Sequence, residues 1–208
     1  MEIPMTANTR VLVVTSSILG AHGQSLGLAQ HFQRVAQQRG DLTLKVRDVI
    51  ADDLPHLGLE ELSSWQVTEE ERTAEQRELA ARSDALIAEV LDHDVIVLAV
   101  PMYNLGIPSQ LKAWFDRVLR AGKTFRYTEN GPVGLVDGKR AILLGARGGK
   151  YAGTAMDSQT PHITHMLGLM GISQLDSVFA EGLNMGEELK ETALSDAHQQ
   201  IEALVASL

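Results

Sequence analysis

A loop rich in hydroxyl, amide and glycine residues comes early in the chain and leads directly into a helical pattern. Its sequence is SSILGAHGQS, residues 16–25, and no lysine or arginine occurs between Arg10 and Arg34. The N-terminus of a helix binds anions through its unpaired amides and the positive end of its dipole. A nucleoside triphosphate would require a P-loop lysine and a magnesium ligand, so this first loop predicts a site for a phosphate monoester. The alternative is that Ser25 only caps the helix.

The same loop also matches a pattern of nucleophilic catalysis. Residues 23–27, GQSLG, fit the G-x-S-x-G nucleophile elbow of the α/β-hydrolases, with Ser25 as the nucleophile. The aspartates that could precede His198 in a triad are Asp157, Asp176 and Asp196. An elbow needs a sharp strand-to-helix turn, whereas Ser25 stands ten positions after the predicted strand end at Thr15. We therefore favour the phosphate site and keep a serine hydrolase as the alternative.

Two further loops carry residues that suit a flat ring. The second loop is PMYNLGIPSQLK, residues 101–112, and the third is GARGGKYAG, residues 145–153. Aromatic, thioether and amide groups can cover a heterocycle and pair with its polar edge, and Gly148 and Gly149 let the backbone approach a ligand closely. The glycine spacing does not fit G-x-G-x-x-G, so no dinucleotide fingerprint is predicted. The alternatives are a core role for the apolar residues and a flexible turn at the glycines.

Strand and helix patterns alternate along the chain. The predicted strands are 10–15, 42–48, 94–100, 141–145 and 175–180. The predicted helices are 25–39, 75–91, 108–121 and 187–205. This alternation predicts an α/β fold, a doubly wound five-stranded parallel sheet of order 2-1-3-4-5 with helices on both faces. No repeat or linker interrupts it, so we expect residues 1–208 to form a single domain.

In such a sheet the ligand binds at the carboxyl ends of the strands, where the strand order reverses. The first, second and third loops all follow predicted strands, so we expect them to meet at one edge. Two connections, residues 49–73 and 122–138, are longer than usual. Two alternatives are predicted for each connection. One is a lid or a surface for a partner, and the other is a solvent-exposed loop without such a role.

Composition excludes several classes of function. The 208 residues contain no cysteine, which excludes disulfides, thiolate nucleophiles and cysteine-ligated metal centres. The net charge of −9 argues against nucleic acid binding, which requires a basic surface. No apolar stretch approaches the roughly 20 residues of a membrane-spanning helix, so we expect a soluble cytoplasmic protein. His162 and His165 share a helical spacing without a third ligand nearby, and no metal site is predicted.

The sequence resembles the FMN-dependent NADH azoreductases, which belong to the flavodoxin-like NAD(P)H:quinone oxidoreductases. The segments that carry the resemblance are SSIL at 16–19, QS at 24–25, PMYN at 101–104, QLK at 110–112, FRYTENGP at 125–132, RGG at 147–149 and AEG at 180–182. The resemblance runs from about Val11 to the C-terminus, and PMYN with FRYTENGP in one register is its specific part. It implies a flavodoxin-like homodimer with one non-covalently bound FMN per subunit, near the dimer interface.

The resemblance also implies roles for individual residues. The residues implied at the FMN phosphate are Ser17, the amide of Gly23, Gln24 and Ser25. Those implied along the ribityl chain and the isoalloxazine are Met102, Tyr103, Asn104 and Leu105. Those implied at the pyrimidine edge are Arg147, Gly148 and Gly149, with Ala146 close to the ring. Tyr127 would lie in the substrate pocket and, with Asn104, position the acceptor, while solvent can supply protons.

Three positions depart from residues that are frequent in the family. Gly23 and Ala146 stand where serine is common, and Leu105 stands where phenylalanine is common. Gly23 removes one hydroxyl from the phosphate site, so we expect weaker FMN binding unless a backbone amide compensates. Leu105 and Ala146 change packing and polarity around the ring and so bear on the choice of acceptor.

The resulting hypothesis is a two-electron ping-pong oxidoreductase. NADH or NADPH would reduce FMN and leave, and a quinone or azo compound would then occupy the same space and be reduced. Loop amides at 147–149 would stabilise negative charge on the bound ring. The alternatives are a serine hydrolase that uses Ser25 and a flavodoxin-like electron-transfer module that holds flavin without turnover.

Overall fold

The computed structural model of the protein describes residues 8–208. Its strands are β1 Thr9–Thr15, β2 Leu42–Asp48, β3 Val95–Pro101, β4 Phe125–Thr128, β5 Gly131–Gly134, β6 Arg140–Ala146 and β7 Gln174–Ala180. Its helices are α1 Gln24–Gln37, α2 Leu59–Ser64, α3 Ala74–Leu91, α4 Ser109–Val118, α5 Gln159–Met170 and α6 Glu187–Ala206, with a short 3-10 helix at Gly20–His22. Predicted and observed boundaries of the five main strands agree within one residue.

The central sheet has the order β2-β1-β3-β6-β7, and every pair in it is parallel. This is the predicted order 2-1-3-4-5 when β4 and β5 are left out of the numbering, because those two strands form a separate antiparallel hairpin. The chain moves outward from β1 to β2 and then returns to place β3 on the other side of β1. The strand order therefore reverses between β1 and β3.

Side chains of the sheet alternate between two hydrophobic cores, one on each face. In β1, Leu12 and Val14 belong to the core covered by α3, α4 and α5. Val11 and Val13 belong to the opposite core, which α1 and α6 cover. Strand β3 is buried along its whole length, as expected for a central strand with helices on both sides. The predicted helical layers on both faces are confirmed.

Both long connections contain secondary structure that the sequence patterns did not predict. Segment 49–73 includes α2, whose Glu61 makes a buried ion pair with Arg117 of α4 (2.6 Å). Segment 122–138 includes the β4–β5 hairpin, and Val136 just beyond it donates to the backbone carbonyl of Met170 at the end of α5 (2.9 Å). These contacts attach both segments to the helical layer.

Helix α5 was not among the predicted helices. It carries His162 and His165, which are both exposed. Within residues 8–208, no group of three or more histidine, aspartate or glutamate side chains is arranged to hold a metal ion. None of the helices in this part of the chain is long and apolar enough to span a membrane.

Candidate active site

Two adjoining cavities lie at the carboxyl ends of β1, β3 and β6. The small cavity has a volume of about 210 Å³ and the large cavity about 550 Å³. They share Met102, Gly148 and Asn184 in their walls. The first, second and third loops therefore meet at one edge of the sheet, as predicted from the strand order.

Most of the predicted site residues line these cavities. From the first loop, the small cavity is lined by Ser17, Gly23, Gln24 and Ser25. From the other two loops, it is lined by Met102, Tyr103, Ala146, Arg147 and Gly148. The predicted residues in the wall of the large cavity are Met102, Asn104, Leu105, Gly148 and Gly149. Of the whole predicted set, only Tyr127 lies outside both linings.

The first loop delivers the start of α1 to the small cavity. Gly23 is the N-cap, and its own amide donates to the Gly20 carbonyl within the 3-10 turn (2.9 Å). The alternative that Ser25 only caps the helix is wrong, because Gly23 is the N-cap and Ser25 is the second residue of α1. The expectation that the Gly23 amide holds a ligand also fails, because that amide is already bonded. The amides of Gln24 and Ser25 lie in the first turn, where intrahelical acceptors are missing.

The Ser25 hydroxyl is the most unusual polar group of this loop. Ser25 is fully buried, and its Oγ has no hydrogen-bond partner among the residues that the structure describes. Leaving a buried hydroxyl unpaired costs free energy of about 1–3 kcal/mol. Ser16 nearby donates to the Ala99 carbonyl (3.0 Å) and is thereby satisfied. The Ser25 hydroxyl, unlike that of Ser16, is therefore available to a ligand.

The Ser17 side chain packs closely against Gly23. The Ser17 hydroxyl accepts a hydrogen bond from the amide of Leu19 (3.3 Å). A Cβ atom added to Gly23 would lie 2.0 Å from Ser17 Oγ and 2.8 Å from Ser17 Cβ. In this chain the Ser17 side chain therefore occupies the space that a side chain at position 23 would need.

The second loop forms a tight turn over residues 103–106. Tyr103 and Gly106 exchange backbone hydrogen bonds (3.1 and 2.9 Å), and Asn104 and Leu105 between them have φ angles of +49° and +66°. Positive φ at both central residues defines a type I′ turn. Asparagine tolerates this conformation, whereas a leucine there is strained and requires support from its surroundings.

The third loop is tightly bonded to the segment after β7. Its carbonyls at 147–149 accept hydrogen bonds of 2.9 to 3.2 Å from the amides of residues 182–184. The amide of Arg147 donates to the backbone at the end of β7 as well. The amides of Gly148 and Gly149, in contrast, make no hydrogen bond to any described residue. Of the three amides predicted to face the ring, two are therefore available to a ligand.

The Arg147 guanidinium is bonded within the protein. It is fully buried and lies 4.2 Å above the ring of Phe179. Its hydrogen-bond acceptors are Asp157, Gln159, Thr160 and Glu181. All three guanidinium nitrogens thus have partners, and the structure gives this side chain a structural role. The sequence patterns assigned no role to Glu181 or Gln159.

Tyr127 lies on β4, away from the cavities. Its side chain is 75% exposed and packs edge to face on Phe125, with ring centroids 5.4 Å apart. The tyrosine that lines the large cavity is Tyr151. Its ring lies against Gly149, where an added Cβ would be 2.8 Å from Tyr151 Cζ. The sequence patterns did not single out Tyr151, although it lies within the third loop.

The geometry does not support a catalytic triad. Ser25 Oγ has no histidine or other partner within residues 8–208. His198 lies on α6 and stacks on His31 with ring centroids 4.0 Å apart. Burial and the neighbouring His31 lower the pKa of His198, but no contact joins it to the serine. Asp157, a candidate third member, is paired with Arg147 (3.1 Å).

The doubly wound parallel sheet, with two adjoining cavities where its strand order reverses, places this protein in the class of open α/β folds that bind ligands at this edge. Residues 9–205 match the protein family described as Flavodoxin-like fold. The match covers nearly the whole chain, so the protein belongs to this family.

Curated relatives and a solved structure extend this assignment. The chain is 48% identical over 191 residues to a protein of Alteromonas mediterranea named FMN-dependent NADH:quinone oxidoreductase, covering 92% of this chain and 96% of the relative. It is 47% identical over 196 residues to FMN-dependent NADH:quinone oxidoreductase 6 of Burkholderia lata, covering 94% and 99%. The crystal structure of an azoreductase from Bacillus anthracis str. Sterne superposes with a TM-score of 0.89 at 27% identity, covering 96% of this chain and all of that one.

Proposed function

We propose that this protein is an FMN-dependent NADH:quinone oxidoreductase that also reduces azo compounds. The observation that carries the proposal is the buried Ser25 hydroxyl at the start of α1, which has no partner within the described chain. Relatives at nearly half identity are named for the quinone reductase activity, and the structural neighbour is an azoreductase. The names of the relatives support NADH as the donor.

The small cavity fits the phosphate end of FMN. Ser25 offers a free hydroxyl, and the first-turn amides of Gln24 and Ser25 add donors at the positive end of the α1 dipole. Ser17 supplies a hydroxyl beside Gly23, where other members carry a serine. The first loop contains no lysine or arginine. A phosphate monoester can nevertheless be held there, because neutral donors at a helix N-terminus bind anions.

The second and third loops fit the ribityl chain and the flat ring. Tyr103 has a buried hydroxyl without a partner among residues 8–208, which suits a ligand polar group. Met102 and Leu105 contribute apolar surface to the large cavity, and the amides of Gly148 and Gly149, which have no partner among the described residues, contribute donors. When bound, FMN supplies two-electron chemistry between the nicotinamide donor and the acceptor.

The large cavity fits a shared space for donor and acceptor. Its walls include Asn104, Leu105, Tyr151 and Met185, a mixture of amide and apolar groups suited to flat molecules. Occupation of one space by the nicotinamide and then by the quinone or azo compound is consistent with a ping-pong mechanism. The side chains orient these molecules and exclude water, while proton transfer is left to solvent.

Tyr127 tests how far this pocket extends. Because its ring lies outside both cavities of its own chain, we expect Tyr127→Ala to leave the FMN dissociation constant the same. We expect KM or kcat for the acceptor to change, because in the proposed homodimer the exposed Tyr127 ring would reach the acceptor from the partner chain. Steady-state kinetics with a quinone and fluorescence titration of FMN measure the two quantities. Loss of FMN from this variant would contradict the assignment.

We also propose a homodimer, which the family resemblance implies. The β4–β5 hairpin presents Tyr127 and Val133, which are 75% and 44% exposed, and burial of such apolar surface favours association. Size-exclusion chromatography with light scattering should give twice the 22.6 kDa of one chain. A mass equal to one chain at micromolar concentration would contradict this proposal.

The activity itself is tested on the purified protein reconstituted with FMN. We expect quenching of FMN fluorescence on binding, a yellow protein after removal of free FMN, and NADH oxidation that depends on a quinone. Failure to bind FMN would overturn the proposal. FMN binding without NADH oxidation would favour an electron-transfer module, and ester hydrolysis abolished by Ser25→Ala would favour a hydrolase.

A further inference from the structure

The carboxamide of Gln159 connects the second and third loops. Gln159 is the first residue of α5 and is fully buried. Its Nε2 donates to the carbonyls of Pro101 (2.9 Å) and Gly106 (3.1 Å). Its Oε1 accepts from Nε of Arg147 (3.3 Å). One side chain therefore joins the end of β3, the turn after it and the start of the third loop.

Both ends of this connection are anchored. Arg147 is held by the carboxylates of Asp157 and Glu181, each 3.1 Å away. On the other side, Ser158 donates to the carbonyl of Leu105, next to the Gly106 carbonyl that Gln159 binds. The start of α5 thus holds the second loop at two successive carbonyls.

The turn at 103–106 needs such support. Asn104 and Leu105 both have positive φ, and strained conformations of this kind persist only where the surroundings over-determine them. Gln159 lines neither cavity, and both Nε2 protons and Oε1 are already bonded inside the protein. The side chain has no donor left for a ligand, so any effect on the site acts through the loops.

We propose that Gln159 is a positioning residue that sets the separation between the turn at 103–106 and the pair Gly148–Gly149. This separation is the width of the slot into which the flat ring of the cofactor enters. The inference deepens the proposed function and rests on it. It also accounts for the burial of Arg147, because the Arg147 guanidinium donates the hydrogen bond that Gln159 Oε1 accepts.

The test uses two substitutions in the full chain. Gln159→Met keeps the length of the side chain and removes all three hydrogen bonds. Gln159→Glu keeps an acceptor for Arg147 but places a second oxygen opposite the carbonyls of Pro101 and Gly106. We expect the FMN dissociation constant to rise about ten- to hundredfold in both variants, the effect of losing two or three hydrogen bonds that preorganise the slot. Gln200→Met on the exposed face of α6 is the matched control.

Two further readouts separate positioning from general destabilisation. At saturating FMN, the visible absorption and circular dichroism of the bound flavin should differ from wild type in both Gln159 variants and not in the control. In the FMN-free protein, hydrogen exchange of the Tyr103 and Gly106 amides should be faster in both variants, whatever the protein binds.

The possible results distinguish the role of Gln159 from the proposed function of the protein. Wild-type FMN affinity, spectrum and exchange in both variants would overturn the inference. Loss of affinity in Gln159→Met with wild-type behaviour in Gln159→Glu would also overturn it, because Gln159 would then act on Arg147 alone. A wild-type protein that binds no FMN would contradict the proposed function instead, and the exchange of the Gly106 amide would still decide the role of Gln159.

Discussion

The first and third loops border the same small cavity but differ in how far their polar groups are hydrogen-bonded within the protein. In the first loop, the Ser25 hydroxyl is buried and unpaired among the described residues. In the third loop, the guanidinium of Arg147 and the three carbonyls at 147–149 are all bonded within the protein. The comparison separates groups that are kept for a ligand from groups that hold the site in shape.

The chemistry of the two loops differs accordingly. The first loop uses neutral donors, which can pair with a phosphate without the large desolvation penalty of a buried cation. The third loop places the buried Arg147 cation between the carboxylates of Asp157 and Glu181. Burying these charges costs desolvation free energy, and removing one partner leaves a buried charge without compensation. We therefore expect loss of the Arg147 guanidinium to act on folding and loss of the Ser25 hydroxyl to act on binding.

The largest effect is expected from Arg147→Met. The substitution leaves Asp157 and Glu181 without their cation, and breaking a buried ion pair by removing one partner costs about 3–5 kcal/mol of the free energy of unfolding. Urea denaturation followed by far-UV circular dichroism measures it. The control is Arg140→Met, whose ion pair with Asp176 is partly exposed (2.6 Å) and should contribute about 0–1 kcal/mol. Equal losses in the two variants would remove the distinction drawn for the third loop.

The second prediction compares two serines of the first loop, one expected to act on FMN binding and the other on protein stability. Ser25→Ala should weaken FMN binding by about 1.5–3 kcal/mol, the value of a hydrogen bond to a charged group. The FMN-free variant should be at least as stable as wild type, because the substitution removes a buried hydroxyl that has no partner among the described residues. Ser16→Ala breaks the bond to the Ala99 carbonyl and should lower the free energy of unfolding by about 0.5–1.5 kcal/mol without a change in FMN affinity. Fluorescence titration and urea denaturation of both variants provide the four values. A loss of stability in Ser25→Ala would show that its hydroxyl is not reserved for a ligand.

The third prediction reverses an expectation from the sequence. A hydroxyl at position 23 would be expected to strengthen phosphate binding, but the Cβ of Gly23→Ser would lie 2.0 Å from Ser17 Oγ. Ser17 must move away, and overpacking of this kind costs about 1–3 kcal/mol, so FMN affinity should fall. Gly27→Ser in α1 is the matched control, because a Cβ there meets no atom within 4 Å. Tighter FMN binding by Gly23→Ser in titration would contradict the packing argument.

Much of the fold was predictable because long apolar runs dominate it. Residues 94–100 (DVIVLAV) form a continuous β-branched run, typical of a strand buried on both faces, and all residues of β3 are buried. Residues 42–48 (LTLKVRD) alternate between apolar and polar, typical of a half-exposed strand, and the edge strand β2 has these bounds. The position of the site then followed, since the carboxyl ends of parallel strands meet where the order reverses.

The parts that were not predicted depend on weaker or non-local signals. Helix α5 buries Ile163, Met166, Leu167 and Met170, but in the sequence Pro161 precedes this helical spacing and Gly168 interrupts it. The hairpin has strands of only four residues, too short for an alternation pattern. Gln159 binds backbone atoms 53 and 58 positions away, and no local spacing encodes such a contact.

The smallest effect concerns the pH dependence of the third loop. Burial raises the pKa of Asp157, but hydrogen bonds from Thr160 and the charge of Arg147 outweigh it, so the pKa lies below its ordinary value. The unfolded chain therefore binds the proton more tightly than the folded one, and the stabilisation is present above about pH 4 and is lost as the pH falls further. Asp157→Asn should be less stable than wild type at pH 7, and the difference in urea midpoint should narrow between about pH 4 and pH 3. Asp196→Asn, on the exposed side of α6, is the control for the loss of one carboxylate. A difference for Asp157→Asn that stays constant down to pH 3 would mean that the third loop does not depend on the charge of this group.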